Sequence, residues 1–228
     1  MARSQLLKDV VSGKENIENV LLRLKVILTD LENESIINWV NGELRGYKEN
    51  EDIPAYRKLR GNPMGTYILN YNVKYTNAQV PLEPLISQAS IDKLRTLNVR
   101  ESIVAIQDIL SGENRENFGK LIPTIFCHSI STEELQIASM RIRFSSNQLE
   151  NIVFNVKAKL LDIIMELENK FVDLDELDIE TQVAKDNAKK EQVVYNIEKI
   201  IFDDSLRVGN KNKISKSRLG NLFGGGQK

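Results

Sequence analysis

The chain is poor in the residues that most often carry chemistry: its 228 positions include one histidine, one cysteine and one tryptophan. A lone cysteine, Cys127, excludes an internal disulfide and fits a reducing compartment. A lone histidine, His128, excludes any metal site or dyad built from two histidines of one chain. An excess of either charge is missing as well. With 31 basic and 32 acidic residues the net charge is −1, so the molecule as a whole gives no argument for binding nucleic acid, a membrane or a polyanion. No window approaches the run of about 20 apolar residues that a membrane span requires. The first residues lead into an amphipathic segment rather than an apolar signal core. The expectation is a soluble, cytoplasmic protein with no membrane contact. Its 41% hydrophobic and 28% charged content suffices for an ordinary folded core.

What is present is periodicity. A short helix is predicted over Gln5 to Val11, stopping at Ser12-Gly13. Ile17, Val20, Leu21, Leu24, Ile27, Leu28 and Leu31 then build one apolar stripe at the helical period. A third helix is predicted from Ser35 to about Arg45, with Gly46 placed as a left-handed cap. The period then changes. Tyr67, Leu69, Tyr71, Val73 and Tyr75 alternate with Asn70, Asn72, Lys74 and Thr76, which reads as a strand with one buried face. Ile91, Leu94 and Leu97, then Ile103, Ile106 and Leu110, return to helical spacing. Met140, Ile142 and Phe144 alternate with Arg141 and Arg143 as a second strand, and whether the two strands pair is open.

The clearest element puts Leu149, Ile152, Val153, Val156, Leu160, Ile163, Ile164, Leu167 and Phe171 on one face of a helix about six turns long. It opens on Ser145-x-x-Gln148, a capping-box pattern. Such a stripe must be buried against the other helices, the sheet or a second copy. Beyond it, Asp173, Asp175, Glu176, Asp178 and Glu180 mark an acidic boundary, and residues 181–192 read as a polar helix. The β-branched run from Val193 to Phe202 fits helix or strand. In the tail, Val208-Gly209-Asn210 recurs as Leu219-Gly220-Asn221, as two β-arcs would, and after Asp204 every charged residue is basic. The expected fold class is therefore α+β: N-terminal helices, a small antiparallel sheet and one long amphipathic helix over residues 1–172. An acidic linker with a further helix or strand follows over 173–204, then a basic tail over 205–228, β-arc or disordered.

No catalytic, cofactor or metal set is legible. Cys127 and His128 are adjacent, which does not make a nucleophile and base, and incidental roles are favoured for them. Asp162 and Glu166, one turn apart among Lys157, Lys159 and Lys170, read as surface pairs rather than a metal-binding dyad. Gly61-Asn62-Pro63-Met64-Gly65 reads as a turn and lacks the spacing of a phosphate loop. Tyr56-Arg57-Lys58-Leu59-Arg60 is a small basic-aromatic cluster. Arg57 and Arg60, extended by Arg141 and Arg143, are the candidate nucleic-acid contacts. The competing reading, which is favoured, has these arginines holding nearby acids. Val208, Gly209, Asn210, Leu219, Gly220 and Asn221 are candidate oligomerisation residues, because two arcs alone cannot bury a core.

One stretch carries a family likeness. Asn33-Glu34 leads into Trp39-Val40, then Glu43-Leu44-x-Gly46-Tyr47, then an acidic loop and Pro54-x-Tyr56-Arg57. With Leu6-Leu7-Lys8-Asp9, Leu21-Leu22-Arg23-Leu24 and Leu160-Leu161-Asp162 through Glu166-Leu167-Glu168, this resembles the AbiTii-type domains of bacterial phage-resistance proteins over roughly residues 4 to 170. The resemblance implies abortive infection as a process and names no reaction and no catalytic residues. Trp39, Tyr47 and Pro54 are expected to fix a helix-to-loop corner. The expected function is a defence component acting through self-association and contacts with a phage or effector protein. The alternatives are a nucleic-acid-acting toxin and a regulatory subunit of a separate effector.

Overall fold

A computed structural model describes residues 3–113, 115 and 118–202. The chain begins with three helices, α1 (Gln5–Ser12), α2 (Ile17–Thr29) and α3 (Glu34–Arg45). Each is preceded by a good capping residue, since the side chains of Ser4, Asn16 and Asn33 accept hydrogen bonds from the backbone N–H three residues on. A 3₁₀ turn, Ala55–Arg57, feeds strand β1 (Lys58–Arg60), followed by β2 (Asn62–Leu69), β3 (Val73–Gln79), α4 (Gln88–Arg95), β4 (Thr96–Asn98) and α5 (Ile103–Ser111). Then come β5 (Gly119–Ile122), α6 (Thr124–Ile130), β6 (Leu135–Arg143), the long helix α7 (Ser146–Lys170), α8 (Glu180–Lys185) and α9 (Asn187–Phe202).

The long helix is the organiser. Its 25 residues rise about 37 Å, and its stripe of Leu149, Ile152, Val156, Leu160, Ile163, Ile164 and Leu167 is buried. Around α7 pack α1, α2, α5 and α9, so the first and last described helices lie on one scaffold. The strands form two antiparallel sheets, β1 with β4 and the four-stranded order β3-β2-β6-β5. The two alternating runs do pair: β2 lies beside β6, with Asn62 opposite Arg143 and Met64 opposite Arg141. Helix α6 packs against β6. Tyr67, Leu135, Ile137, Met140 and Ile142 join the common core.

Several local readings are corrected. The Tyr67–Tyr75 alternation is a hairpin rather than one strand, because Asn70 and Tyr71 take positive φ, as the tight turn between paired strands needs. Residues 62–65 belong to β2 rather than a turn; Pro63 keeps its carbonyl in use, accepting from the Val80 N–H. Leu97 lies in β4 because α4 ends at Arg95 and the chain pairs with β1. The run Val193–Phe202 is helix, with Val193, Ile197 and Ile201 inward at four-residue spacing. The capping box at Ser145 does not form; Gln148 instead exchanges two hydrogen bonds with the backbone of Arg60, tying α7 to β1.

The four-stranded sheet is bent across its middle. Opposite Thr66-Tyr67 of β2, both neighbours carry an extra residue, around Asn77 in β3 and Ala138 in β6. Asn77, inside edge strand β3, sits at φ 50°. Among the described residues no helix is long and apolar enough to cross a membrane.

Candidate functional site

The residues of the sequence signature meet at one place. From α3, Trp39 and Glu43 point inward, and both are buried. The chain then leaves the helix at Gly46, whose φ of +86° suits glycine, and whose Cα lies so near the Arg100 carbonyl that an added Cβ would come to 2.7 Å from it. That corner brings Tyr47 back beneath the helix, where its ring lies over Gly42 with no room for a Cβ between them. Pro54 opens the 3₁₀ turn that delivers Tyr56 and Arg57 to the same spot.

Glu43 is the hub. Its carboxylate accepts from the Tyr47 hydroxyl at 2.8 Å, the Tyr56 hydroxyl at 2.6 Å, Arg57 Nε at 3.0 Å and Arg57 Nη2 at 2.5 Å. Trp39 Nε1 donates to the Tyr56 hydroxyl at 2.9 Å. Arg57 Nη1 donates to the carbonyls of Val99 and Glu101, so the guanidinium also ties down the segment entering α5. Its carbon sits 5.0 Å from the Tyr47 ring centre. Burial, helped by the Glu43 charge, pushes both tyrosine hydroxyls far above their ordinary range, so they stay protonated donors. Burial disfavours the Arg57 charge, yet the Glu43 hydrogen bonds and charge outweigh it and raise its pKa. Lys159 of α7 adds its ammonium 5.5 Å from the Tyr56 ring centre and donates to the Ile200 carbonyl near the end of α9.

This network decides how the basic-aromatic cluster is read. Arg57 is wholly buried, with all three guanidinium nitrogens engaged, and has no edge to offer a phosphate. Its partner is Glu43, one helix back, rather than the acids of the adjacent loop. Arg60 lies at the surface and pairs with Asp92 of α4. Arg141 and Arg143 stand together on the outer face of the sheet, and neither is among the partners of Arg57. The other signature-like residues are internal ties too. Arg23 pairs with Asp9 at 2.6 Å. Glu168 accepts from the Ser4 N–H and hydroxyl and from Arg3, fixing α1 to α7.

Cys127 is buried in α6, and burial raises its thiol pKa; this is the setting of an inert thiol. Among the described residues no group of three or more His, Cys, Asp or Glu side chains is arranged to hold a metal ion. The tail residues Val208, Gly209, Asn210, Leu219, Gly220 and Asn221 lie outside the described residues.

Against the network lies a cleft of about 560 Å³, walled by Ser35, Asn38, Asn41 and Arg45 of α3 and closed by Asp52 and Phe202. Among the described residues Asn41 Oδ1 is a buried side-chain oxygen with no hydrogen-bond partner. Nothing in the sequence marked the cleft, since its wall joins one helix face to the far end of α9.

The sequence profile of the AbiTii family matches residues 4–193. No curated protein and no solved structure matches the chain significantly.

Proposed function

The chain belongs to the AbiTii family, an abortive-infection family of phage resistance, and on that premise we propose that it defends the cell through self-association and protein contacts rather than through a reaction of its own. One observation carries this reading: Trp39, Glu43, Tyr47, Tyr56 and Arg57 of the signature spend their side-chain hydrogen bonds on one another and on the backbone inside the fold. What these residues build in this chain is thus a scaffold, and the groups left open are contact surfaces. These are the cleft beside α3 and the outer face of the sheet. The partners in this reading are further copies of the chain and a phage or effector protein, met in the cytoplasm. The basic tail over residues 205–228 is the proposed assembly element, with Val208-Gly209-Asn210 and Leu219-Gly220-Asn221 repeating across copies.

Two measurements test it. Cells expressing the chain alone should grow normally until phage is added, then fail to release progeny. Toxicity without infection, with degraded nucleic acid, would support the toxin alternative. Deleting residues 205–228 should lower the molar mass in light scattering; an unchanged mass ends the role given to the tail.

A further inference from the structure

Helix α7 has a second apolar stripe that the other described residues leave uncovered. Phe154 is 64% exposed and Met165 38% exposed, and Ala158 and Leu161, between them, are only partly covered. The spacing of 4, 3 and 4 residues is that of the seam between two supercoiled helices, with Ala158 and Met165 at the first core position of the heptad and Phe154 and Leu161 at the second. One heptad before Ala158 stands Asn151, also exposed; a single asparagine at that position is a device that fixes register. Exposed charges flank the seam, Lys157 on one side, one heptad after Glu150, and Asp162 on the other, and neither Lys157 nor Asp162 has a partner among the described residues.

From this arrangement we infer that α7 is the interface with a second copy of the same chain, the two helices running parallel and in register about a two-fold axis along the pair. That symmetry fixes the contacts. Phe154, Ala158, Leu161 and Met165 each meet their own counterpart, and Lys157 of each copy reaches Asp162 of the other, five residues further on, so the ion pair forms twice. An antiparallel pairing would bring Lys157 to Lys157-side positions and Asp162 to Asp162-side positions, leaving both charges unmatched. The inference rests on the self-association reading and names the surface for it, separately from the tail.

The full-length chain tests it, followed by light scattering over a concentration series. Phe154→Glu, at a position exposed in the single chain, should halve the mass while leaving the circular dichroism unchanged. Lys157→Asp should weaken association on the order of tenfold by placing like charges together, and adding Asp162→Lys should restore it. Ala158→Cys should crosslink to its own counterpart on mild oxidation, with buried Cys127 inert. A monomeric wild type would overturn the self-association reading as a whole. An associated wild type whose mass is unmoved by Phe154→Glu, and whose Ala158→Cys variant does not crosslink, would overturn this surface alone.

Discussion

Glu43 and Arg57 stand 14 residues apart in the chain and meet as a two-pronged ion pair, with neither side chain reaching solvent. The two tyrosine hydroxyls fill what remains of the carboxylate, and two backbone carbonyls fill the third arginine nitrogen. A buried pair stabilises a fold only when its hydrogen bonds are complete in this way.

Breaking the pair from one side should therefore be severe. Arg57→Met leaves an uncompensated buried carboxylate and is expected to cost about 3–5 kcal/mol in urea unfolding. Joined with Glu43→Gln, it should cost clearly less than the two single changes summed. Additive costs would show that the two residues are not energetically coupled.

Gly42→Ala forces a methyl group into the ring of Tyr47. Overpacking of this kind costs about 1–3 kcal/mol, and the lowered melting temperature should come with a changed Trp39 fluorescence. Gly112→Ala is the control, because its added carbon meets only atoms at 3.5 Å. It should change stability by no more than about 0.5 kcal/mol.

Glu168 links stability to pH. Partial burial pushes its carboxyl upward, but the hydrogen bonds from Ser4 and Arg3 outweigh that and hold its pKa below the ordinary 4.5. A carboxylate depressed in the folded state contributes stability above its unfolded pKa and loses it as pH falls through the folded one. Glu168→Gln should cost about 1.5 kcal/mol near neutrality, and the gap from wild type should close in acid. Asp9, held low first by its hydrogen bond from Arg23, contributes in the same pH direction. A gap that widens on acidification would contradict this role for Glu168.

Arg141→Glu combined with Arg143→Glu alters the open sheet face only. The unfolding midpoint should shift by no more than about 0.5 kcal/mol, and phage protection should fall with RNA retention unchanged if that face is one of the contact surfaces proposed above. Loss of protection together with loss of salt-sensitive RNA retention would instead favour the nucleic-acid alternative.

The helical half of this fold was legible because its stripes repeat without interruption. Ile17 to Leu31 and Leu149 to Leu167 face the core as their spacing demands. The sheet was harder to read. In β6, Leu135 and Ile137 fall out of phase with Met140 and Ile142 because Ala138 is the extra residue of a bulge, so only the second half of the strand announced itself. The β2–β3 hairpin turns on Asn70 and Tyr71, without the glycine that signals such turns. The Val193–Phe202 helix hid behind β-branched residues whose burial is decided by α7. At the site, the side chains that meet Glu43 are all visible in the signature, yet the sequence offers nearer acids as partners for Arg57. A helix hydrogen-bonds its own backbone but leaves its side chains free to pair across the corner that follows, and that pairing has no local mark.

The extra residue near Asn77 has a consequence for how this protein behaves when crowded. A straight outer strand offers a neighbour a row of evenly spaced amides on which further strands can be laid down without limit. Here the row is interrupted and turned where Asn77 takes its positive φ. The β3 edge is thereby a poorer template for the addition of further strands.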